Sequence, residues 1–258
     1  HHRDLFSAGG ARAVLASEDD PHTEVGAVLS GTGGTRVAAL SRRLPAWKGG
    51  TLAWVRGTNS ASYRGGHLLT PDDAREWFNG GLLMRLMLSR FGYDLRTRKR
   101  DPQRRDPLTV VARHDEGFFF SGYTPDTTVT LRLRFPQGAP ILAGYETELE
   151  EGRSTYRMPR AWHRECRVFV DGQDEGVISC VEQHSGEIGI RRRLHLTGLE
   201  GATVRFYPER GTEEQVRMLR NPAFPYLRGE FLERSVEEGR HGRCLVARNV
   251  TGPLLISW

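Results

Sequence analysis

Apolar and polar residues alternate without a break through TTVTLRLRF, residues 127 to 135. Val129, Leu131, Leu133 and Phe135 fall on one side, and Thr128, Thr130, Arg132 and Arg134 on the other. A period of two predicts a strand with one buried and one wet face. IGIRRRLHL repeats the pattern, with Ile188, Ile190, Leu194 and Leu196 opposed to Arg191, Arg193 and His195. Arg192 falls on the apolar side, so it needs a partner carboxylate or an edge position. ECRVFV, GVISCV, ATVRF, RCLVARNV and PLLISW add short strands broken by Gly, Pro and Asp turns. This spacing predicts a mainly β protein, an antiparallel β-sandwich of jelly-roll type.

Upstream, ARAVLAS, TEVGAVLS and TRVAALS also read as strands. GTGGT (31–35) is followed by a strand pattern, whereas a phosphate-cradling loop needs a helix after it, so it reads as a hairpin turn. One helix is expected near residues 72–91. Thr70 is placed as its N-cap, Pro71 at its first position and Asp73 in its first turn. Trp77, Met84, Leu88 and Phe91 share a face that reads as core, Gly80-Gly81 interrupts it, and Gly92 is placed to end it. RTRKRDPQRRDP follows as a charged, proline-bearing run. The chain therefore divides into an N-terminal β region with one helix (1–95), a basic linker (96–107) and a C-terminal sandwich (108–258).

Composition adjusts this picture little. The 258 residues are 38% hydrophobic and 9% aromatic, enough for a sizeable core. The net charge of +5 raises an anionic partner, but acidic residues such as Glu146, Glu148, Glu150 and Glu151 interleave with the basic ones. The linker run lacks interleaved aromatics, which argues against nucleic acid. No segment approaches the roughly 20 apolar residues of a membrane span. Cys166, Cys180 and Cys244 form no CxxC pair; Cys166 and Cys180 flank DGQDEG and would face each other if it closed a hairpin, but read best as buried thiols. His1-His2, with no methionine before them, read as a tag remnant and are left out of metal arguments.

No HExxH, GxSxG, P-loop or GxGxxG string is present. Asp19, Asp20, His22 and Glu24 could hold a structural Ca²⁺, although a polar turn around Pro21 is the preferred reading, and no other cofactor is implied. His114, Asp115 and Glu116 likewise read as a turn. Two aromatic sets remain as candidate ligand-binding residues. One is Tyr156, Trp162 and His163 around Pro159, in a loop or at a sheet end. The other is Trp47, Arg56, Asn59 and Tyr63, with nearby Trp54 reading as core. Exposed rings stack on the apolar face of a sugar while arginines and amides grip its hydroxyls. For each tryptophan the alternative is a core residue with a bonded indole N–H.

GFFFSGYTPDTTVTLRLRFPQGAP and YRMPRAWHRECRVFV resemble the accessory β-sandwich regions of bacterial carbohydrate-active, glycoside hydrolase-like proteins, over roughly residues 107 to 207. The resemblance implies a non-catalytic module that binds or scaffolds a polysaccharide or oligosaccharide, in a secreted or cell-surface bacterial protein. A glycoside-processing enzyme is the second expectation. It would show two carboxyl groups about 5–5.5 Å or 6.5–9.5 Å apart across a cleft. A polyanion-binding protein using the 96–105 run and the strand arginines is the third, marked by steep salt dependence.

Overall fold

The computed structural model describes residues 11–12, 23–31, 34–55, 85, 87–98, 108–114, 117–123, 130–183, 192–223, 228–239 and 242–258. Two units divide the chain, His1–Tyr93 and Asp94–Trp258. Among the described residues no helix is long and apolar enough to cross a membrane.

In the first unit, β1 (Ala11–Arg12), β2 (Thr23–Gly31), β3 (Gly34–Arg42) and β4 (Leu52–Val55) form an antiparallel sheet in that order. Gly31 lies opposite Gly34, so GTGGT turns a hairpin as expected. Of the expected helix, Arg85 and Met87–Ser89 are described and helical; the rest lies outside the described residues. Met87 is buried there, whereas Leu88, assigned to the core face, is 44% exposed. Gly92 ends the helix with a positive φ of 86°, a conformation that costs a residue without Cβ nothing. Trp54, expected in the core, is 45% exposed on β4.

Among the described residues, the second unit is built from three antiparallel sheets. The largest takes β5 (Asp94–Arg98), β8 (Thr130–Arg134), β10 (Tyr145–Glu150), β11 (Arg153–Arg157) and β14 (Gly176–Gln183). It is completed by β15 (Arg193–Thr197), β17 (Arg217–Ala223), β18 (Arg228–Phe231) and β21 (Leu254–Ser257). Their order is β18–β17–β21–β15–β14–β10–β11–β8–β5. Facing it, β9 (Ala139–Ile141), β13 (Val168–Asp171), β16 (Ala202–Phe206), β19 (Ser235–Gly239) and β20 (Gly242–Val250) pair as β19–β20–β16–β13–β9. Inward residues of both, among them Ile178, Leu196 and Ile256 from one and Val170, Val204 and Leu245 from the other, form one buried cluster. That is a β-sandwich core.

β6 (Leu108–His114), β7 (Gly117–Tyr123) and β12 (Ala161–Cys166) make the third sheet, ordered β12–β7–β6. Its inner residues Phe118, Phe120, Trp162 and Cys166 are buried. Phe118 meets Phe169 edge-on at 5.2 Å and Tyr207 at 5.9 Å, so this sheet covers the far side of β13. Covered on both faces, Val168, Phe169 and Val170 read as an unbroken apolar run.

Three expectations are corrected. Arg96–Arg98, assigned to the basic linker, lie in edge strand β5 and pair with β8; residues 99–107 lie outside the described residues. ECRVFV, expected as one strand, is divided between two, because the chain leaves the three-stranded sheet at Arg167 and enters the five-stranded one. DGQDEG closes no hairpin: β13 and β14 belong to different sheets, and the segment carries the chain across the core. Cys166 and Cys180 are buried free thiols, as preferred. Burial pushes the Cys180 thiol up to about 12 and Cys166 higher still, so neither supplies a thiolate near neutrality.

Candidate glycan-binding face

The outer side of the three-stranded sheet follows from its register. Trp162 pairs with Gly122, His163 with Ser121 and Glu165 with Phe119, while Val110 faces Ser121 from the other flank. Alternation then sends Phe118, Phe120 and Trp162 inward, and Phe119, Ser121, Tyr123 and His163 outward beside Leu108 and Val110. Exposure agrees: Leu108 is 64%, Val110 49% and Tyr123 44% exposed.

Polar contacts hold this face in shape. Ser121 Oγ and His163 Nδ1 share a hydrogen bond, and the His163 ring stacks on Phe119 with centroids 5.7 Å apart and planes 13° from parallel. Arg160 donates from Nε and Nη2 to the Tyr123 hydroxyl at 2.9 and 2.7 Å, with its guanidinium 5.4 Å from the ring centre. On the other side of β12, Arg164, paired with the inward Phe120, lies 5.4 Å from the centre of the Tyr145 ring and donates to the His163 carbonyl. These contacts fix flat rings in place, so little side-chain entropy remains to be lost on binding.

A cleft of about 400 Å³ opens beside the face, with His163, Arg164, Glu165, Glu182 and Arg192 in its lining. Arg192 donates from Nη2 to Glu165 at 2.7 Å, from Nε to Glu182 at 2.9 Å and from Nη1 to Glu209 at 3.4 Å, so the carboxylate that its position demanded is supplied threefold. Its guanidinium lies over the Trp258 ring at 4.9 Å, and the indole N–H donates to Glu209. Arg167, 8% exposed at the sheet-switching corner, is held by Glu165, Glu209 and the Tyr207 carbonyl. Burial pulls the Glu165 carboxyl upward, but hydrogen bonds and charge from Arg192 and Arg167 outweigh it and hold the group below the ordinary glutamate value. Burial likewise opposes the charge on Arg192, and the bonds to Glu165 and Glu182 overcome it. A carboxylate held this way is a fixed anion and acceptor, unsuited to donate a proton at neutral pH.

The sequence-derived candidates separate. Tyr156 and Trp162 are 1% and 6% exposed, so neither ring offers a face to a ligand. Tyr156 donates its hydroxyl to the Pro140 carbonyl, and Trp162 lies against Gly122. His163 alone of that set is exposed, because β12 starts at Ala161 and alternation turns His163 away from the core. Trp47, in the other unit, is 40% exposed at the end of a 3₁₀ turn, Pro45–Trp47. Arg56, Asn59 and Tyr63 lie outside the described residues, as do Asp19, Asp20 and His22 of the Ca²⁺ reading. Phe119, Tyr123, Arg160 and Arg164 were missed. The signal that could have found them is Gly122 within FFFSGY: a glycine in a strand marks close approach by a bulky partner, here Trp162, and fixes which neighbours point out. Compared with known proteins, the chain matches no protein-family model, no curated protein and no solved structure.

Proposed function

We propose that this protein is a carbohydrate-associated β-sandwich module of a bacterial protein, which binds a polysaccharide or oligosaccharide without chemistry of its own. The observation that carries the reading is the uncovered outer face of β6, β7 and β12, where Tyr123 and the stacked Phe119–His163 pair lie among exposed aliphatic side chains. Flat rings on a rigid sheet suit the apolar faces of sugar rings, and the adjoining cleft supplies donors and acceptors for hydroxyls. The glycosidase alternative needs a protonated acid opposite a second carboxylate. Glu165 and Glu182 are instead bridged by one guanidinium, which favours the binding module. Two strand arginines of the polyanion alternative are engaged by carboxylates, Arg132 with Glu150 of its own sheet and Arg134 with Asp171 of the facing sheet.

The test is migration in native gels cast with neutral and acidic polysaccharides, with newly released reducing ends assayed on the same panel. Retardation without release, lost in Tyr123→Ala, is the expected result. Release of reducing ends, or retardation indifferent to Tyr123→Ala, contradicts the proposal.

A further inference from the structure

β6 ends its sheet: in the order β12–β7–β6, no strand among the described residues lies beyond it. Two residues separate His114 from Gly117, so that pair closes the hairpin with hydrogen bonds in both directions. Pairs then alternate, and the backbone N–H and C=O groups of Thr109 and Val111 turn away from β7. Side chains along this edge are apolar on both faces. Leu108 and Val110 point outward, while Val111 lies opposite the inward Phe120 and is still 39% exposed. Soluble proteins blunt such edges with charge, shortness or cover. The other edges of the second unit are blunted in these ways. β5 carries Arg96 and Arg98, β12 carries Arg164 and Glu165, and β19 carries Glu237 and Glu238. β18 runs for four residues, and β9 for three that are all buried. Over its seven residues β6 carries a single formal charge, at Arg113.

We infer that β6 pairs antiparallel with β6 of a second copy of this chain, about a two-fold axis at Val111. Centred there, all seven residues overlap and the outward backbone groups of Val111 meet their own copies. Val110 then falls opposite Ala112 and Thr109 opposite Arg113, so no like charges stand against each other. The same operation fails this test on other edges. About the centre of β19 it sets Glu237 against Glu237, and about the centre of β5 it sets Arg96 against Arg96. β6 is thus complementary to itself, as an isologous contact requires. A two-fold axis normal to the sheet also keeps both outer faces on one side. The joined sheet runs β12–β7–β6–β6–β7–β12, its two β7 strands about 14 Å apart, three strand spacings. The pairing needs no sugar; with the platform reading, it sets two platforms side by side for one long glycan.

The experiment is sedimentation velocity of the full chain over a range of concentrations, with no glycan present. An edge of this length buries little area, so the expected result is a reversible shift from one-chain to two-chain mass as concentration rises. Val111→Pro deletes the outward N–H and spares the β6–β7 ladder, and should weaken association about tenfold or more, the scale of the two symmetric hydrogen bonds it removes. Val111→Glu and Val111→Lys set like charges opposite at the axis, so each should stay a single chain. An equimolar mixture of the two should recover the doubled mass. Circular dichroism checks that every variant folds. A single-chain mass for the parent protein at every concentration overturns the inference. So does a doubled mass indifferent to all three substitutions, or a mixture of the glutamate and lysine variants that stays single-chain. Failure of every polysaccharide to retard the protein removes the platform reading and leaves the pairing standing.

Discussion

Arg192 holds together groups that would otherwise repel. Without its guanidinium, Glu165, Glu182 and Glu209 converge with Arg167 as the remaining partner of two of them. Arg192→Met should destabilise the protein at neutral pH by about 1–3 kcal/mol, less than for a fully buried pair because the side chain is 31% exposed. The pH dependence has a definite sign. The Glu165 carboxyl titrates below its ordinary value of 4.5 in the folded protein, so its contribution is complete above that value and is lost as pH falls through the lower folded one. The difference between the parent protein and Arg192→Met in urea melts should therefore shrink in acid; a constant difference contradicts the linkage. Arg192 was legible as a residue needing a carboxylate. Which glutamates answer it was not, since they come from β12, β14 and the loop after β16.

Register governs the element scale. The pairing of Trp162 with Gly122 sets which side of β7 and β12 is core, and a Cβ on Gly122 would stand 1.8 Å from the indole ring. Gly122→Ala should cost about 1–3 kcal/mol through overpacking, measured as a lowered melting temperature, because backbone-borne Cβ and a buried ring have nowhere to move. An unchanged melting temperature would show that the register is wrong. Strands with one wet face, such as β8, were readable because charge marks the outside. FFFSGY is apolar or small on both faces, so its alternation left no mark. Pro159 separates β11 from β12, as its position implied, but β12 resumes at Ala161, so Trp162 enters the core from a strand.

At the scale of the whole molecule, the second unit is a sandwich with a third sheet laid on one side. The nine- and five-stranded sheets bury the main core, and the three-stranded sheet buries Phe118, Phe120 and Trp162 against the back of β13. Sandwich class was legible from strand spacing, but the third layer was not, because nothing local tells a strand which sheet it will join. That layer leaves an apolar, ring-bearing face in solvent, and such faces are where soluble proteins meet partners. The most direct test of its role is a side-chain NMR titration of aromatic-labelled protein with the oligosaccharide of whichever polymer retards it. The account predicts shifts in the Tyr123, Phe119 and His163 ring signals, with Tyr156 and Trp162 unmoved. Shifts confined to Trp47 or Trp54, or in no assigned ring of the β7 face, would contradict it.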